Sequence, residues 1–497
     1  MNSAGDRVAI GGHANDGADT DAGHVRVYSI PVTVQTTTYV PDDNFEQALI
    51  DLGYDDVLND SVLTANISSI TSLDITYLSI SDLTGIEGFT ALTELRCFNN
   101  QLTSLDVSSN TALTKLSCHE NELTSLDVSN NTALTELHCF NNQLTSLDVS
   151  SNTALTKLSC GGNELTSLDV SNNTALTVLF CNNNELTSLD VNSNTALWSL
   201  NCGGNELTSL DVSNNTGLGY LSCGWNELTS LDVSSNTALT SLSCRTNALT
   251  ALDVSSNTAL TSLSCNDNAL TALDVSANTA LTDLHCSNNQ LTSLDVSNNT
   301  ALTHLYCYNN PLTALDVSNN TALTHLYCTN NQLTSLDLNS NTALTILHSA
   351  TNQLTSVDVS NNTALTELRF SSNQLDTLDV SNNTALTELR CFNNQLTSLD
   401  VSNNTALAWL NCNNNQLTYL NLKNGVTDAL TTFNATNNDS LECIETLDPN
   451  YATENWTYAN GNIDEGVIFA VNCTPFFGPV WHVSTLGSDS PGGGSDE

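Results

Sequence analysis

Histidine and tyrosine side chains recur at fixed places of a 21-residue repeat in the second half of this 497-residue chain. His304 and His325 are 21 residues apart, and so are Tyr306 and Tyr327. Units of a fixed period stack on one another, so such residues are expected to lie side by side on one surface. We predict that this surface is formed by His285, His304, Tyr306, Tyr308, His325, Tyr327 and His348.

The chemistry of this surface has three interpretations. Imidazole groups bind transition metals, but His304 and His325 would lie in one column about 4.8 Å apart, with no acidic residue evident to orient the rings. Tyrosines on a rigid sheet can stack on sugar rings or pack against the side chains of a partner. Neutral drift at exposed positions is the third interpretation. We favour contact with a protein or a glycan over a metal and predict no metal site here.

Aspartate recurs in the other half of the repeat, giving fifteen carboxylates in register from Asp106 to Asp400. Like charges at strand spacing repel one another, so something must offset the repulsion. Hydrogen bonds from serine, threonine or backbone donors would do so, and this is the favoured explanation. The alternative is a line of cations, with calcium as the ion and Asp106, Asp127 and Asp148 as candidate ligands.

Cysteine marks the repeat in steps of 21 from Cys97 to Cys412, and only Ser349 and Phe370 interrupt the column. Cysteine takes the place of a leucine there, so these thiols are predicted to be buried, free and unreactive. A spacing of 21 matches no zinc motif. Two cysteines lie outside the column, Cys443 and Cys473, and they are candidates for a disulfide.

Motifs of known catalytic sites are absent from the sequence. There is no G-x-S-x-G, H-E-x-x-H, P-loop or dinucleotide-binding fingerprint. A flat sheet would also offer no deep pocket that excludes water. We therefore predict a protein that is not an enzyme and needs no cofactor. Calcium bound to the aspartate column is the one alternative that we keep.

The elements that position these residues follow from the repeat itself. Each unit contains L-x-x-L-x-C-x-x-N-x-L, whose last leucine also begins L-T-S-L-D-V-S-x-N-T-A. Both halves alternate apolar and polar residues as strands do. The pattern resembles the leucine-rich repeat, in the bacterial 21-residue class called IRREKO, and D-L-T-G-I-E-G-F-T-A-L resembles an internalin-type repeat. The resemblance implies a mainly β solenoid of about sixteen 21-residue coils, with short parallel strands on both sides.

Both ends of the array differ from it. Phe45, Ala48, Leu49 and Leu52 fall on one face of a predicted helix with Asp42 or Asp43 as N-cap. That helix would cover the open end of the first coil. At the start of the chain, R-V-A-I-G-G and G-H-V-R-V-Y-S-I flank N-D-G-A-D-T-D-A-G, which resembles one blade motif of the FG-GAP family. The last residues, from P-V-W-H-V-S-T-L-G, resemble the opening of a pectate-lyase-like β-helix.

These features predict the following division of the chain. The segments are 1–34, a partial FG-GAP-like strand pair or leader; 35–66, a helical N-terminal cap; 67–91, an atypical internalin-like first repeat; 92–423, the regular array; 424–478, a small C-terminal cap; and 479–497, the truncated start of a β-helix-like domain or a disordered tail.

Charge and composition exclude several kinds of partner. The net charge is −44, from 53 acidic and nine basic residues, so the surface would repel nucleic acid and anionic lipid. No apolar run approaches the roughly 18 residues of a membrane helix. The N-terminus does not resemble a signal peptide, and Met1 is the only methionine, which suggests a fragment of a longer protein. We expect a monomer without membrane insertion.

The function expected from these features is binding. Outward positions of the L-T-S-L-D-V-S half barely vary, whereas those around the cysteines vary from coil to coil. The sequence therefore predicts an extracellular or cell-surface binding or adhesion module that recognises a protein or glycan through the variable strand face. The alternatives are a non-catalytic targeting or spacer region of a larger secreted polysaccharide-active enzyme, and a structural stalk.

Overall fold

A capped N-terminal end precedes the repeats. The computed structural model describes residues 7–11, 25–29, 35–425 and 427–473, in two compact units that meet in sequence between Asn299 and Thr300. Unit 1 begins with an antiparallel pair, β1 (Arg7–Gly11) and β2 (Val25–Ser29). It continues with β3 (Thr37–Tyr39), α1 (Asp43–Asp51), β4 (Ser61–Leu63) and α2 (Thr64–Ile67), in which β3 and β4 pair antiparallel. The loop N-D-G-A-D-T-D-A-G and residues 474–497 lie outside the described residues, so the FG-GAP and β-helix resemblances stay predictions.

The helix α1 begins where its capping chemistry places it. Asp42 is the N-cap, and its Oδ1 accepts hydrogen bonds from the N–H groups of Asn44 and Phe45, each at 3.0 Å. Phe45 and Leu49 are fully buried, and the Phe45 ring stacks on Phe89 at 6.4 Å. The helix therefore covers apolar surface of the first coil. Leu52, predicted to lie on the same helix face as Phe45 and Leu49, instead lies just past the helix end and is 46% exposed.

The main sheet of unit 1 gains one three-residue strand per coil. Its strands are parallel and in register, so Leu95 pairs with Leu116 and Leu116 with Leu137. They are β5 (Ser72–Asp74), β6 (Glu94–Arg96), β7 (Lys115–Ser117), β8 (Glu136–His138), β9 (Lys157–Ser159), β10 (Val178–Phe180), β11 (Ser199–Asn201), β12 (Tyr220–Ser222), β13 (Ser241–Ser243), β14 (Ser262–Ser264) and β15 (Asp283–His285), and a 3₁₀ turn spans Ile86–Gly88.

Unit 2 continues with the same kind of strand and ends in a second small sheet. Its main-sheet strands are β16 (His304–Tyr306), β17 (His325–Tyr327), β18 (Ile346–His348), β19 (Glu367–Arg369), β20 (Glu388–Arg390), β22 (Trp409–Asn411) and β24 (Thr432–Asn434). The second sheet has the order β21 (Ser398–Asp400), β23 (Tyr419–Asn421), β25 (Cys443–Glu445) and β26 (Ile468–Ala470), and α3 (Pro449–Asn455) lies between its last two strands.

The predicted solenoid is confirmed, with a slightly larger coil count. Strands β6 to β20 and β22 match the sixteen predicted 21-residue coils, and the described residues add one coil before them and one after, at β5 and β24. Most regular coils bury six apolar side chains; in the first regular coil they are Leu92, Leu95, Cys97, Leu102, Leu105 and Val107. Burying a leucine of this kind contributes roughly 1.5–3 kcal/mol, so the stack of coils forms one continuous core within each unit.

Buried asparagines close both turns of each coil. The Nδ2 of Asn121 donates to the carbonyls of Cys97 in the preceding coil and Cys118 in its own, and its Oδ1 accepts from the N–H of Leu102. At the other turn the Nδ2 of Asn131, fully buried, donates to Val107 and Asn110, each at 3.0 Å. Each amide therefore joins two coils through backbone groups.

The second half of the repeat differs from the prediction of strands on both sides. Outside the sheet of β21, β23, β25 and β26, the described coils show only an isolated bridge there, between Asp106 and Asp127. Side chains form hydrogen bonds with the backbone groups that would otherwise pair with a neighbouring strand. The Ser108 N–H donates to its own coil's Asp106 Oδ1 at 2.9 Å, and Asn131 occupies the Val107 carbonyl. These local bonds replace a ladder in most coils.

The C-terminal end of unit 2 is held by a ring cluster and a disulfide. Trp456 contacts Phe433 and Phe469, with ring centroids 4.7 and 5.9 Å apart. Cys443 and Cys473 form a disulfide, with Cα atoms 5.9 Å apart. The fourteen cysteines of the repeat column are buried thiols, and burial raises the pKa of the Cys97 thiol to about 12. No helix within the described residues is long and apolar enough to cross a membrane.

Candidate binding faces on the strand side

Six of the seven predicted site residues belong to unit 2, where the register of the strands brings five of their rings together. His304 and His325 stack with ring centroids 4.4 Å apart, and Tyr306 and Tyr327 stack at 4.7 Å. Tyr327 also meets the edge of His348 at 4.6 Å. We call this surface the aromatic face, which comprises His304, Tyr306, Tyr308, His325, Tyr327 and His348. His285 ends β15 in unit 1.

Hydrogen bonds select one tautomer of His325. The Thr324 hydroxyl donates to the carbonyl of Thr303 at 3.0 Å, so its oxygen accepts a bond from the Nδ1–H of His325 at 2.9 Å. The other nitrogen, Nε2, is then left as an acceptor. Burial and the adjacent His304 lower the pKa of His325. The ring is therefore neutral at neutral pH and presents an acceptor beside the tyrosines.

Charged residues continue the aromatic face along the strands of unit 2. His348 Nε2 lies 3.2 Å from Glu367, and Arg369 bonds both Glu367 and Glu388, at 3.3 and 2.6 Å. Arg390 lies 2.7 Å from Glu388, and its guanidinium covers the ring of Trp409 at 4.6 Å. The Arg369–Glu388 pair joins two neighbouring coils, whereas Arg369–Glu367 and Arg390–Glu388 each lie within one strand. Stacked rings and paired charges together restrict the side chains of this surface.

The aspartate column is held by hydrogen bonds. Asp106 accepts from the hydroxyl and the N–H of Ser108, which lower its pKa, and Asp127 and Asp148 do the same with their own serines. This geometry matches the favoured explanation, and calcium at Asp106, Asp127 and Asp148 stays an untested alternative.

One group of carboxylates within the described residues has the spacing of a metal site. The oxygens of Asp43, Glu46 and Asp60 lie within 4.8 Å of one another. Glu46 is fully buried, however, and its carboxylate accepts the N–H groups of Asn59, Asp60 and Ser61. The buried charge therefore has backbone donors as its partners, and this group stabilises the loop before β4.

Unit 1 carries an aromatic stack that sequence reasoning missed. The His119 ring lies between Phe98 and Phe140, with centroids 4.3 and 4.1 Å away. Its Nδ1 is buried without a hydrogen-bond partner among the described residues. Burial lowers the pKa of His119 to about 4. The signal that could have found this stack is the 21-residue spacing of Phe98, His119 and Phe140, at a variable position just after the cysteine.

Protonation of His119 is expected to destabilise unit 1. An unfolded histidine binds its proton near pH 6.5, whereas folded His119 resists protonation until about pH 4. The unfolded state therefore binds more protons between these values, and stability falls as pH decreases through this window. His119→Phe keeps a ring in the stack and removes the titrating group. We expect its melting temperature to fall less than that of the parent chain between pH 7 and pH 4.5.

The matched control for this experiment is Asn266→Phe, which adds a phenylalanine at the same place of a distant coil and leaves His119 unchanged. The control should keep the pH dependence of the parent. Parallel melting curves for His119→Phe and the parent at every pH would contradict the assignment.

Comparison with known proteins agrees with this architecture. A family model described as leucine-rich repeats (2 copies) matches residues 279–320. Internalin J of Listeria monocytogenes is 39% identical over 72 residues, which are 14% of this chain and 8% of that protein. The structure described as the functional domain of InlJ from Listeria monocytogenes, which includes a cysteine ladder, is 36% identical, has a TM-score of 0.63, and covers 81% of this chain and 82% of its own.

The chain belongs to the internalin-type leucine-rich repeat proteins. A second internalin structure, InlF of Listeria monocytogenes, is 25% identical with a TM-score of 0.59, and covers 62% of this chain and 95% of its own. The InlJ structure is described as including a cysteine ladder, and this internalin-type chain has a column of buried cysteines. The curated Internalin J sequence is matched over a small part of its length, so the similarity concerns the repeat and its fold.

Proposed function

We propose that this internalin-type chain is an extracellular or cell-surface binding module that recognises a protein partner through the aromatic face. The observation that carries the proposal is the stack of rings from His304 to His348, flanked by paired charges of both signs. Tyrosine, tryptophan and arginine dominate the energetic centres of protein interfaces. We also propose that the module is non-catalytic and acts as a monomer.

The rigidity of the aromatic face favours binding. Ring stacking holds Tyr306 and Tyr327 side by side, and a hydrogen bond orients His325. Side chains that are ordered before association lose little conformational entropy when a partner arrives. The disulfide between Cys443 and Cys473 suits an oxidising compartment, which supports the extracellular assignment.

The aromatic face is tested with the double variant Tyr306→Ala/Tyr327→Ala. The parent chain is screened against an array of purified extracellular protein domains and, in parallel, a glycan array, and each hit is quantified by surface plasmon resonance. We expect a protein hit whose Kd rises about tenfold or more in the double variant, because two stacked tyrosines at an interface centre contribute at least about 1.4 kcal/mol.

The control is Thr313→Ala/Thr334→Ala, which changes exposed residues of the same two coils on the constant half of the repeat. Its Kd should equal that of the parent. Binding to no protein domain, or equal loss in both double variants, would reject the proposal and favour a spacer or stalk.

A further inference from the structure

A shallow groove crosses the strand face of unit 1 between Phe140 and Arg245. It consists of two hollows of about 320 and 170 Å³, which share Asn182. Phe140 and Phe180 line the first hollow, and Trp225 and Arg245 end the second. We call this surface the indole groove. All residues that line it belong to unit 1, and none of them belongs to the aromatic face.

Backbone atoms form the floor of the indole groove, because in three of its coils the residue after the cysteine is a glycine. A Cβ on Gly161 would lie 2.8 Å from the carbonyl of Asn182. A Cβ on Gly203 would lie 3.0 Å from the Gly224 carbonyl, and one on Gly224 would lie 2.9 Å from Cγ of Arg245. A side chain at any of these places would collide or fill the groove, so the glycines keep the floor low.

Trp225 is held in a conformation that costs energy. Its φ is 57°, in the left-handed region that this place of the repeat adopts in most coils, and asparagine or glycine, as at Asn183 and Gly204, tolerates this φ better. A bulky residue in this region costs on the order of 1 kcal/mol or more. Burial does not compensate for this cost, since the Trp225 side chain is 58% exposed. A strained and exposed indole at the end of a groove points to a role in contact with a ligand.

Arg245 supplies a charge that the rest of the groove lacks. Its guanidinium carbon lies 6.0 Å from the centre of the Trp225 ring. The other basic residues between positions 35 and 299, Arg96, Lys115 and Lys157, each have a carboxylate within 3.6 Å. Arg245 has no carboxylate at ion-pair distance within the same part of the chain. In a protein of net charge −44, an arginine without such a partner marks a place for a ligand's anionic group.

We propose that the indole groove binds a short oligosaccharide that carries one carboxylated sugar. A sugar ring lies against the Trp225 indole, its carboxylate pairs with Arg245, and neighbouring hydroxyls bond the side chains of Asn182, Asn201 and Ser222. An indole face and planar amide groups match the apolar face and the hydroxyl edge of a sugar.

The backbone of the groove argues against an extended peptide as the ligand. Peptides that bind a sheet do so largely through free main-chain groups. Here the N–H of Asn183 bonds the carbonyl of Gly203 at 2.8 Å, and the N–H of Gly204 bonds that of Gly224 at 2.9 Å. Side chains are therefore the main source of polar contacts. A ligand with many charges is disfavoured as well, because the acidic chain repels polyanions at long range.

The test uses the intact chain and two matched probes, xylotetraose and the same tetraose carrying a single glucuronosyl group. Binding is measured by isothermal titration calorimetry and by quenching of tryptophan fluorescence. We expect the acidic probe to bind at least tenfold more tightly than the neutral one. Trp225→Asn, which places a residue found in other coils at this position, should weaken binding of both probes tenfold or more. Arg245→Gln should remove the preference for the acidic probe.

Trp198→Ala is the matched control, since Trp198 is equally exposed at 58% and does not line the groove. Its affinities should match those of the parent, and so should those of Tyr306→Ala/Tyr327→Ala, which keeps this test separate from that of the aromatic face. The proposal is overturned if neither probe binds, if Trp225→Asn leaves both affinities unchanged, if Trp198→Ala weakens binding equally, or if a hexapeptide with one glutamate binds while both sugars do not.

Discussion

Replacing Asn236 by alanine is expected to lower the free energy of unfolding by about 1–3 kcal/mol, because it removes two buried hydrogen bonds at once. The Nδ2 of Asn236 donates to the carbonyls of Val212 and Asn215, each at 2.9 Å, and the side chain is fully buried. Alanine removes one of the two donors of each carbonyl. The Val212 carbonyl keeps the N–H of Asn215, and the Asn215 carbonyl keeps the N–H of Leu218, so the cost is that of two lost hydrogen bonds and of the space that the amide filled.

The loss should be local, since each coil of a repeat protein contacts mainly its neighbours. Urea unfolding gives the change in free energy, and amide hydrogen exchange shows whether protection falls first in the coils around Asn236. The control is Ser235→Ala, which changes the exposed residue immediately before it and should stay within about 0.5 kcal/mol of the parent. Equal stability of the two variants would show that the amide does not hold the coils together.

Removing the disulfide by Cys443→Ser/Cys473→Ser is expected to destabilise the end of unit 2 by about 2–4 kcal/mol. The bond closes a loop of 30 residues that contains α3, and its two cysteines join β25 to the residues just after β26. Without it, the unfolded segment gains conformational freedom, whereas β26 keeps only β25 as its partner in the sheet. Unfolding should then start at this end of the chain.

Hydrogen exchange of residues 443–470 provides the measurement. A reducing agent should lower protection of the parent chain to the level of the double variant, and it should leave the double variant unchanged. Protection that is the same in all four samples would mean that the packing of Trp456 on Phe433 and Phe469, rather than the disulfide, holds this end.

The two candidate sites differ in how far the repeat period predicts them. Residues 21 apart in sequence become neighbours in the sheet, so the repeat period alone predicts the pairing of His304 with His325 and of Tyr306 with Tyr327. The indole groove depends instead on different columns: Gly203 and Gly224 lower the floor, and Trp225 projects from the next position. No periodicity indicates that combination, because it depends on where single side chains point.

The sequence by itself determined the period, the inward leucines and cysteines, the solenoid and the surface on which variety is concentrated. It could do so because stacking in register converts a spacing along the chain directly into adjacency in space. Only the tertiary structure decided that the second half of most coils is not a strand. The reason is that Asp106 and Asn131 bind backbone groups at about 3 Å, a competition between side-chain and backbone partners that alternation of apolar residues cannot resolve. The strained Trp225 beside Arg245 likewise came from the folded chain alone, since backbone angle and charge pairing are properties of three-dimensional neighbours.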